Sequence, residues 1–321
     1  MIYYLISDSY INIVTFASII FAFLSTCFAI SFFQKMLPRD GGRAFAVNGS
    51  KSVGKPRGAG IIFIITFSLN ILIFVPFKNE ILIYLILVFA AMLSGYLDDS
   101  AKTPWGELKK GLIDLIIAIM TAVTYLNFNT NTINVPFTDM TLTLHPILFG
   151  VLIVILVWAS INVTNCSDGV DGLCGTLSIV TILTFYGISN KLGANADLEA
   201  NHMMLVMAIC VLAYLWFNAS PSKLLMGDAG SRAIGLFIAI CALKSQNPIL
   251  YLLAGFMLIV DGGLGLVKVS LIRVFKINIM KNIRTPIHDH VRKNKNWSDA
   301  QVVFRFAILQ IIISIATVAM V

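Results

Sequence analysis

Three short segments place carboxylates at the edges of long apolar runs. They read YLDDS at residues 96–100, NCSDGVDG at 165–172 and MGDAGS at 226–231. Carboxylates held close together repel each other unless a proton or a cation neutralises them. Hard oxygen ligands, without Cys pairs or a His-rich cluster beside them, favour magnesium or manganese over zinc. The aspartates of these segments are therefore candidates for a cation site; they are Asp98, Asp99, Asp168, Asp171 and Asp228.

The first pair of aspartates has structural explanations as well. Lys102 follows Asp99 by three residues, so a helix that continued past Asp99 would place both side chains on one face. The lysine would then neutralise the carboxylates without a metal. A solvated helix end is the other alternative, so this pair alone does not identify a metal site.

The segment 165–172 combines acidic residues with flexible ones. Its glycines allow sharp turns and a close approach of the backbone to a ligand. Asp168 and Asp171 stand three residues apart, so one helical turn would place them side by side. A helix predicted to begin near Leu173 would offer its N-terminus to an anion. A structural Asx-turn would use one of these side chains and would leave the others unexplained.

The C-terminal part of the chain adds two histidines and one acid inside an apolar run. His288 and His290 flank Asp289 in a basic segment, and such a segment can lie against anionic lipid headgroups. That alternative explains the Lys and Arg residues but not the histidines, which can bind a metal or a phosphate. Asp261 lies within the ninth apolar run. An ionisable residue there indicates a function, while the adjoining glycines indicate a helix break or close packing.

The composition indicates a membrane protein. The 321 residues are 58% hydrophobic and 12% charged, with a mean hydropathy of +0.88. Soluble domains carry about 25% charged residues and about 45–50% apolar ones. The five cysteines have no CxxC spacing and are predicted to be small core side chains. The first basic residue, Lys35, follows the first apolar run, which predicts a retained helix and not a cleaved signal peptide.

Ten apolar runs approach the roughly 20 residues that a helical membrane span requires. The eighth is the shortest, and the topology beyond it would reverse if it did not cross. We predict one all-α polytopic domain over residues 1–321, with a small hairpin between the fourth and fifth runs. The runs are Ile11–Phe33, Gly58–Phe77, Ile81–Leu97, Gly111–Phe128, Leu144–Ile161, Leu173–Ser189, Met203–Ala219, Arg232–Ser245, Ile249–Val269 and Val302–Val321.

Basic residues fall on alternate connections between these runs. One set of connections holds twenty of the 23 Lys and Arg residues, and the other holds only Lys78, Lys191 and Lys244. The positive-inside bias places the first set in the cytoplasm and both termini outside. This distribution favours a membrane protein over a nucleic-acid binder as the explanation of the net charge of +7. The five aspartates and both histidines fall on the same cytoplasmic face.

Aspartates, a metal and lysines on one face form a site for a diphosphate. Phosphoryl transfer needs charge stabilisation more than covalent chemistry, and a metal neutralises the phosphate oxygens. A membrane face also gives access to a lipid. The residues therefore predict phosphoryl or prenyl transfer between a soluble diphosphate and a lipid at the cytoplasmic surface.

The three acidic segments resemble the polyprenyl-phosphate N-acetylhexosamine-1-phosphate transferase superfamily. Its DDxxK, NxxDGxDG and MGDxGS blocks correspond to Asp98–Lys102, Asn165–Gly172 and Met226–Ser231. The resemblance runs in order from about Lys51 to Arg305. It implies ten transmembrane helices, outward termini and a cytoplasmic active site.

Within the superfamily, TPIHDHVRKNKNW followed by VVFRF is similar to the TPxHHHxxxxGW…VxxRF block of the phospho-N-acetylmuramoyl-pentapeptide transferase (MraY) family. Asn218 and Pro221 also fit its WFNxxPxxxxMGD block. The resemblance implies transfer of phospho-MurNAc-pentapeptide from UDP-MurNAc-pentapeptide to undecaprenyl phosphate, giving lipid I and UMP in peptidoglycan synthesis. It implies the bacterial cytoplasmic (inner) membrane as the location, and it leaves the oligomeric state open, a homodimer included.

The resemblance also implies roles for single residues. Asp228 would be the Mg²⁺ ligand, with Asp168 as a second candidate. Asp98 and Asp99 would orient or deprotonate the lipid phosphate, whose second pKa near ~6 makes a strong base unnecessary. The residues assigned to substrate binding are Lys102, Lys110, Asn165, Asp168, Asp171, Asn218 and His290. The lysines would offset phosphate charge, and the segment 165–172 would bind the nucleotide or the metal-bound diphosphate. Asn218 would support the nucleotide site, and His288 is a better candidate than His290 for contact with the diphosphate.

Three departures from the family pattern affect the substrate pocket. Asp289 stands where the middle His of the block is expected, and Lys268 stands where a Gln is expected. The GTPTMGG stretch of the family corresponds to GKPRGAG at Gly54–Gly60. These differences do not change the predicted class of reaction, but they leave the identity of the transferred sugar open.

Three other classes of protein share part of this pattern. A sibling enzyme that transfers GlcNAc-1-phosphate to the same lipid would have the same aspartates, but the TPIHDH block favours the pentapeptide enzyme. An aromatic prenyltransferase would need two DxxxD-like blocks, which DGxDG and MGDxGS do not fit. A transporter would carry its acids within the spans, and only Asp261 lies there.

Overall fold

The computed structural model of this protein describes residues 11–42, 49–138, 140–277 and 280–321. The chain is mostly helical, with one short β hairpin. The helices are α1 Ile11–Phe33, α2 Gly60–Phe74, α3 Asn79–Asp99, α4 Glu107–Phe128, α5 Pro146–Cys166, α6 Leu173–Lys191, α7 Leu198–Asn218, α8 Gly227–Lys244, α9 Tyr251–Ala254, α10 Phe256–Leu258, α11 Leu264–Phe275, α12 Ile287–Lys295 and α13 Asp299–Met320. The strands are β1 Thr132–Asn134 and β2 Thr141–Thr143.

All ten predicted apolar runs coincide with helices, although the ninth is broken. In the described part of the chain, seven helices are long and apolar enough to cross a membrane, and an eighth span results if one bent pair is counted. α2 is too short for this criterion, and α8 carries three charges. The protein is thus a multi-pass membrane protein, and the crossing number of ten stays a prediction.

α8 lies at the centre of the bundle, where every residue from Gly227 to Lys244 is buried. It packs mainly against α3 and α5. At Gly235 an added Cβ would lie 2.7 Å from the carbonyl oxygen of Ser160, so glycine permits the close approach of α5. Charged residues in membrane helices face the bundle interior, which explains how a helix of limited hydropathy occupies this position. Its charged residues are Asp228, Arg232 and Lys244.

A buried ion pair sets the position of α4 against α8. Arg232 Nε lies 3.2 Å from Asp114 Oδ1, and Nη2 contacts the same oxygen. Nη2 also donates to the carbonyl oxygen of Lys110 at 3.4 Å. Because a buried charge without its partner is strongly destabilising, this pair fixes which turn of α4 faces α8. The side chain of Lys110 is thereby directed toward the first turn of α8.

A second polar cluster lies at the opposite ends of the same helices. Lys244 Nζ, at the end of α8, lies 3.0 Å from Glu80 Oε2 and 2.7 Å from Asp197 Oδ2. Lys78, just before α3, pairs with Glu199 at 2.8 Å. Lys78 and Lys244, two of the three basic residues assigned to the outer face, therefore lie together and away from the acidic segments.

The predicted hairpin is confirmed, since β1 pairs antiparallel with β2.

The ninth apolar run, predicted as one span, is a pair of helices joined at a sharp bend. The segment Pro248–Ala254 meets Phe256–Arg273 at an angle of 69°. Gln310 of α13 satisfies the backbone groups freed at the break, because its Oε1 accepts from Met257 N at 2.8 Å and its Nε2 donates to Leu253 O at 3.1 Å. A π-helical turn at Ile259–Gly263 follows, and it carries Asp261.

Candidate functional site

The MGD turn and the end of α3 meet through a tight backbone contact. The segment 56–60 runs beside residues 225–226, and Ala59 N donates to Leu225 O at 3.0 Å. Gly227 has φ +73, and a Cβ there would collide with the carboxylate of Asp99. Asp99 Oδ2 accepts from Ala229 N at 3.0 Å and so caps the first turn of α8. Glycine at 227 is required both for the backbone conformation and for this approach.

Lys110 links the carboxylates of two segments that are distant in sequence. Its Nζ contacts Asp98 Oδ2 and lies 3.1 Å from Asp228 Oδ2. Asp98 Oδ1 also accepts from Trp105 N at 2.7 Å, which fixes the turn after α3. Lys110 therefore joins the YLDDS and MGDAGS segments. The side chains of Asp98 and Asp228 are both buried.

Arg57 occupies the space between the same carboxylates from the other side. Its Nε lies 2.8 Å from Asp99 Oδ1, its Nη2 3.4 Å from Asp228 Oδ1 and its Nη1 3.5 Å from Asp40 Oδ1. The Nε contact is ionic, since neither Nε nor Asp99 Oδ1 has an aligned hydrogen-bond partner. Burial favours the neutral guanidine, but the carboxylates outweigh it and raise the pKa of Arg57, so the side chain stays charged.

The segment 165–172 borders this centre through two of its side chains. Asn165 Nδ2 donates to Ser231 Oγ at 2.9 Å, one turn beyond the MGD aspartate. Asp171 Oδ2 accepts from Ser222 N at 2.9 Å and lies 3.5 Å from Lys55 Nζ. Asp171 is thus already engaged in holding the loop before α8.

Asn218 joins the two loops that surround the centre. Its Oδ1 accepts from Gly172 N at 2.9 Å, and its Nδ2 donates to Leu224 O at 2.8 Å. Both polar groups of the buried amide are used, so Asn218 positions backbone. Asp168 is half-buried, and its charge acts on Arg57, which places it near the acidic centre.

His288 is oriented by the aspartate of the broken helix. Asp261 Oδ1 accepts from His288 N at 2.7 Å, and Oδ2 lies 2.8 Å from Nδ1. A carboxylate at Nδ1 favours the tautomer that carries its proton there. Nε2 then faces the segment 165–172, so closely that a Cβ at Gly169 would collide with it. The sequence singled out Asp261 and His288 separately; the structure makes them a pair.

Asp289 takes part in an ion pair. Arg292 Nη2 donates to Asp289 Oδ1 at 2.6 Å and to Gly169 O at 3.2 Å. Arg292 Nη1 donates to Asp299 Oδ1 at 3.1 Å. The carboxylate at the position of the family's middle His therefore holds the arginine that ties α12 to the acidic segment.

Three sequence candidates lie elsewhere. α3 ends at Asp99, so the alternative in which a continued helix brings Lys102 to the carboxylates does not apply; Lys102 is exposed and has no ion pair or hydrogen bond among the described residues. His290 Nδ1 accepts from Arg284 N at 3.2 Å, within its own loop. Lys268 Nζ donates to Met280 O at 3.0 Å and to Ile283 O at 2.8 Å. Lys268 therefore organises the segment before α12.

Sequence analysis missed Arg57 and Lys55. The segment GKPRGAG was noted only as a departure from the family pattern, although it carries two cations in a glycine-rich stretch on the predicted cytoplasmic face. That combination was the available signal. Its significance appears only when Arg57 is found between Asp99 and Asp228.

The donor atoms at the centre suit a hard divalent cation. Asp98, Asp99 and Asp228 supply carboxylate oxygens, and Asp99 Oδ1 is buried without an aligned hydrogen bond. Over the described ranges, however, no three His, Cys, Asp or Glu side chains already surround a common point as metal ligands. Lys110 and Arg57 lie between the carboxylates instead. The residues fit magnesium by chemistry, provided that a cationic side chain moves.

Comparison with known proteins finds relatives that cover most of the chain. Residues 81–246 match the model of glycosyl transferase family 4. The phospho-N-acetylmuramoyl-pentapeptide-transferase of Treponema pallidum (strain Nichols) is 40% identical over 88% of this chain and 82% of its own length. The enzymes of that name from Clostridium botulinum (strain Eklund 17B / Type B) and Wolbachia pipientis wMel are 30% and 27% identical, over 83% and 95% of this chain and 82% and 97% of their own lengths.

Proposed function

Because the chain belongs to the phospho-N-acetylmuramoyl-pentapeptide-transferase family, we propose that it transfers phospho-MurNAc-pentapeptide from UDP-MurNAc-pentapeptide to undecaprenyl phosphate. An oxygen of the lipid phosphate attacks the phosphorus that bears the sugar, and the P–O bond to UMP breaks. The products are lipid I, used in peptidoglycan synthesis, and UMP. The observation that carries this proposal is the convergence of Asp98, Asp99 and Asp228 with two cations at one site.

The cations of this site suit two phosphate-bearing substrates. Lys110 and Arg57 are charged donors that the carboxylates hold in place, and such preorganised donors stabilise charge that develops on phosphate oxygens. Undecaprenyl phosphate, with a second pKa near ~6, is largely ionised at neutral pH. Asp98 and Asp99 therefore act mainly by orienting cations and the lipid phosphate, with proton removal as a minor task.

Magnesium is the cofactor that we propose, with Asp228 as its main ligand and Asp168 as a second candidate. When bound, the ion would neutralise diphosphate oxygens and favour the departure of UMP. Asp228 sits in the first turn of α8, and the arginine–aspartate pair below it restricts that turn. This rigidity keeps the carboxylate in a defined position.

The nucleotide side of the site is proposed to lie along the segment 165–172. His288 Nε2 faces this segment while Asp261 occupies Nδ1, and we propose Nε2 as the contact to a diphosphate oxygen. Asn165 and Asp171 border the same space, while Asn218 holds both loops in register.

For the membrane arrangement, we propose ten crossings in the bacterial inner membrane, with both termini outside and the site on the cytoplasmic face. Basic residues on alternate connections support it, as do helix ends that carry the acidic centre on one side and the Lys244 cluster on the other. The chain is proposed to act as one polytopic domain. If the protein forms a homodimer, the detergent-extracted protein should have twice the protein mass of one chain.

Cysteine labelling tests this arrangement. In a cysteine-free background, a cysteine at Lys293 should react with an impermeant reagent only from the cytoplasmic side. One at Lys191 should react only from outside; both positions are exposed. Reaction of the Lys293 position from outside, in intact cells, would refute the ten-span arrangement. The two positions are tested together because, in leaky cells, the reagent would label the cysteines at both Lys293 and Lys191 from outside.

Substrate choice tests the reaction. Purified protein with magnesium and undecaprenyl phosphate should release UMP from UDP-MurNAc-pentapeptide and little from UDP-GlcNAc. The expected preference rests on the TPIHDH block, whose histidine faces the acidic segment. Robust UMP release from UDP-GlcNAc, with none from the pentapeptide nucleotide, would instead establish the sibling activity. Omission of the lipid phosphate is the control for simple hydrolysis.

A further inference from the structure

The backbone of Arg57 is fixed on both sides, and its side chain is directed into the acidic centre. Arg57 N donates to Pro38 O at 2.8 Å, and Leu225 N donates to the neighbouring Pro56 O at 2.8 Å. The segment thus lies between the 38–42 stretch and the MGD loop. Its guanidinium enters the same gap as the carboxylates of Asp99 and Asp228.

Two of the three carboxylate contacts of this guanidinium are long, while the third, from Nε to Asp99 Oδ1 at 2.8 Å, is close but not aligned as a hydrogen bond. The two hydrogen bonds of Arg57, to Asp40 and Asp228, measure 3.5 and 3.4 Å. Charge-assisted bonds normally measure about 2.7–2.9 Å, and Arg292 in the same protein donates to Asp289 at 2.6 Å. Nε of Arg57 and Oδ1 of Asp99 are both buried without an aligned partner. Because these two atoms face each other at 2.8 Å without an aligned hydrogen bond, the hydrogen-bonding capacity of Asp99 Oδ1 stays open to a ligand.

The charges around Arg57 also do not balance. Among the described residues, four carboxylates are linked by the two cations Arg57 and Lys110. The carboxylates in these ion pairs therefore outnumber the cations by two. The carboxylates are Asp40, Asp98, Asp99 and Asp228.

We propose that Arg57 is an internal counter-ion that occupies the metal position between Asp99 and Asp228, and that a divalent cation binds only by displacing its guanidinium. The proposal rests on the proposed function only in taking this centre as the metal site. It explains why carboxylates of suitable chemistry are not arranged as ready-made metal ligands. It also assigns a role to a residue at which the chain departs from the pattern of the family it resembles.

Mn²⁺ binding to the purified full-length protein, followed by electron paramagnetic resonance, tests the displacement directly. Arg57→Gln should bind Mn²⁺ about 10-fold or more tightly than the parent, because a competing positive charge is gone from a partly buried site. Arg57→Lys should bind at an intermediate affinity, since a lysine keeps the charge but lacks the guanidinium fork. Arg39→Gln is the matched control; Arg39 is exposed, donates to Gly54 O in the same pair of segments and has no ion pair among the described residues.

Two results would overturn the proposal. One is unchanged or weaker Mn²⁺ binding by monodisperse Arg57→Gln. The other is Mn²⁺ binding that Asp228→Asn leaves intact, because the ion would then lie elsewhere. If Arg57→Gln does not fold, the comparison of Arg57→Lys with Arg39→Gln decides. The Mn²⁺ experiment and the test of the proposed function have separate outcomes. A protein that transfers no phosphosugar can still show, or lack, competition between Arg57 and Mn²⁺.

Discussion

Asp228→Asn should lower the rate of UMP release by roughly 10²-fold or more, the loss typical of removing one preorganised electrostatic group. The asparagine keeps the size of the side chain and its hydrogen bonding but removes the charge. Lys110 and Arg57 would each lose an ionic partner, and the proposed magnesium ligand would be lost. The measurement is UMP release against magnesium concentration, with detergent-extracted protein checked for monodispersity.

The structure changes which variant of Asp228 is informative. Its side chain is buried in the first turn of α8, beside Lys110 and Arg57. Alanine would leave two cations facing a void, so Asp228→Asn separates charge from packing better. Glu107→Gln is the control, because this exposed carboxylate forms its ion pair, within the described ranges, with exposed Arg273, and such pairs contribute little. Near-normal turnover by folded Asp228→Asn at low magnesium would remove Asp228 from the metal site.

His288→Gln and Asp261→Asn should each reduce UMP release by about 10²-fold. The first removes the imidazole that faces the segment 165–172. The second keeps the volume of Asp261 but weakens the contacts that hold His288 through its backbone N and its Nδ1. Because the two residues act as one unit, the double variant should lose little more than the worse single variant.

Additivity is the outcome that would contradict this pairing. If the losses of the two single variants multiplied in the double variant, Asp261 and His288 would act independently. His145→Gln serves as the control, since this exposed histidine lies at the start of α5, away from the acidic segments. Its activity should match that of the parent protein.

The helices and the acidic segments were largely predictable from the sequence. Hydropathy located every long helix, and the hairpin followed from alternation. The sequence offered a helix break beside Asp261 as one alternative, but the bend lies between Ala254 and Phe256, where the backbone is satisfied by Gln310, 53 residues away from Met257. The Asp98–Asp99 pair was found, and Lys102 was considered as its neutralising partner if α3 continued; because α3 ends at Asp99, the lysine that contacts Asp98 is Lys110.

The sequence by itself determined where the helices lie, which segments carry acids, and on which connections the basic residues fall. These properties depend on the residues of one local stretch of the sequence, so they can be predicted without knowing how the helices pack. Only the tertiary structure decided which charges meet: Arg57 reaches Asp228 across 171 positions, Lys110 across 118, and Asp261 reaches His288 across 27. Ion pairs and hydrogen bonds act over a few ångströms, and such distances between remote residues are set by how whole helices pack around α8.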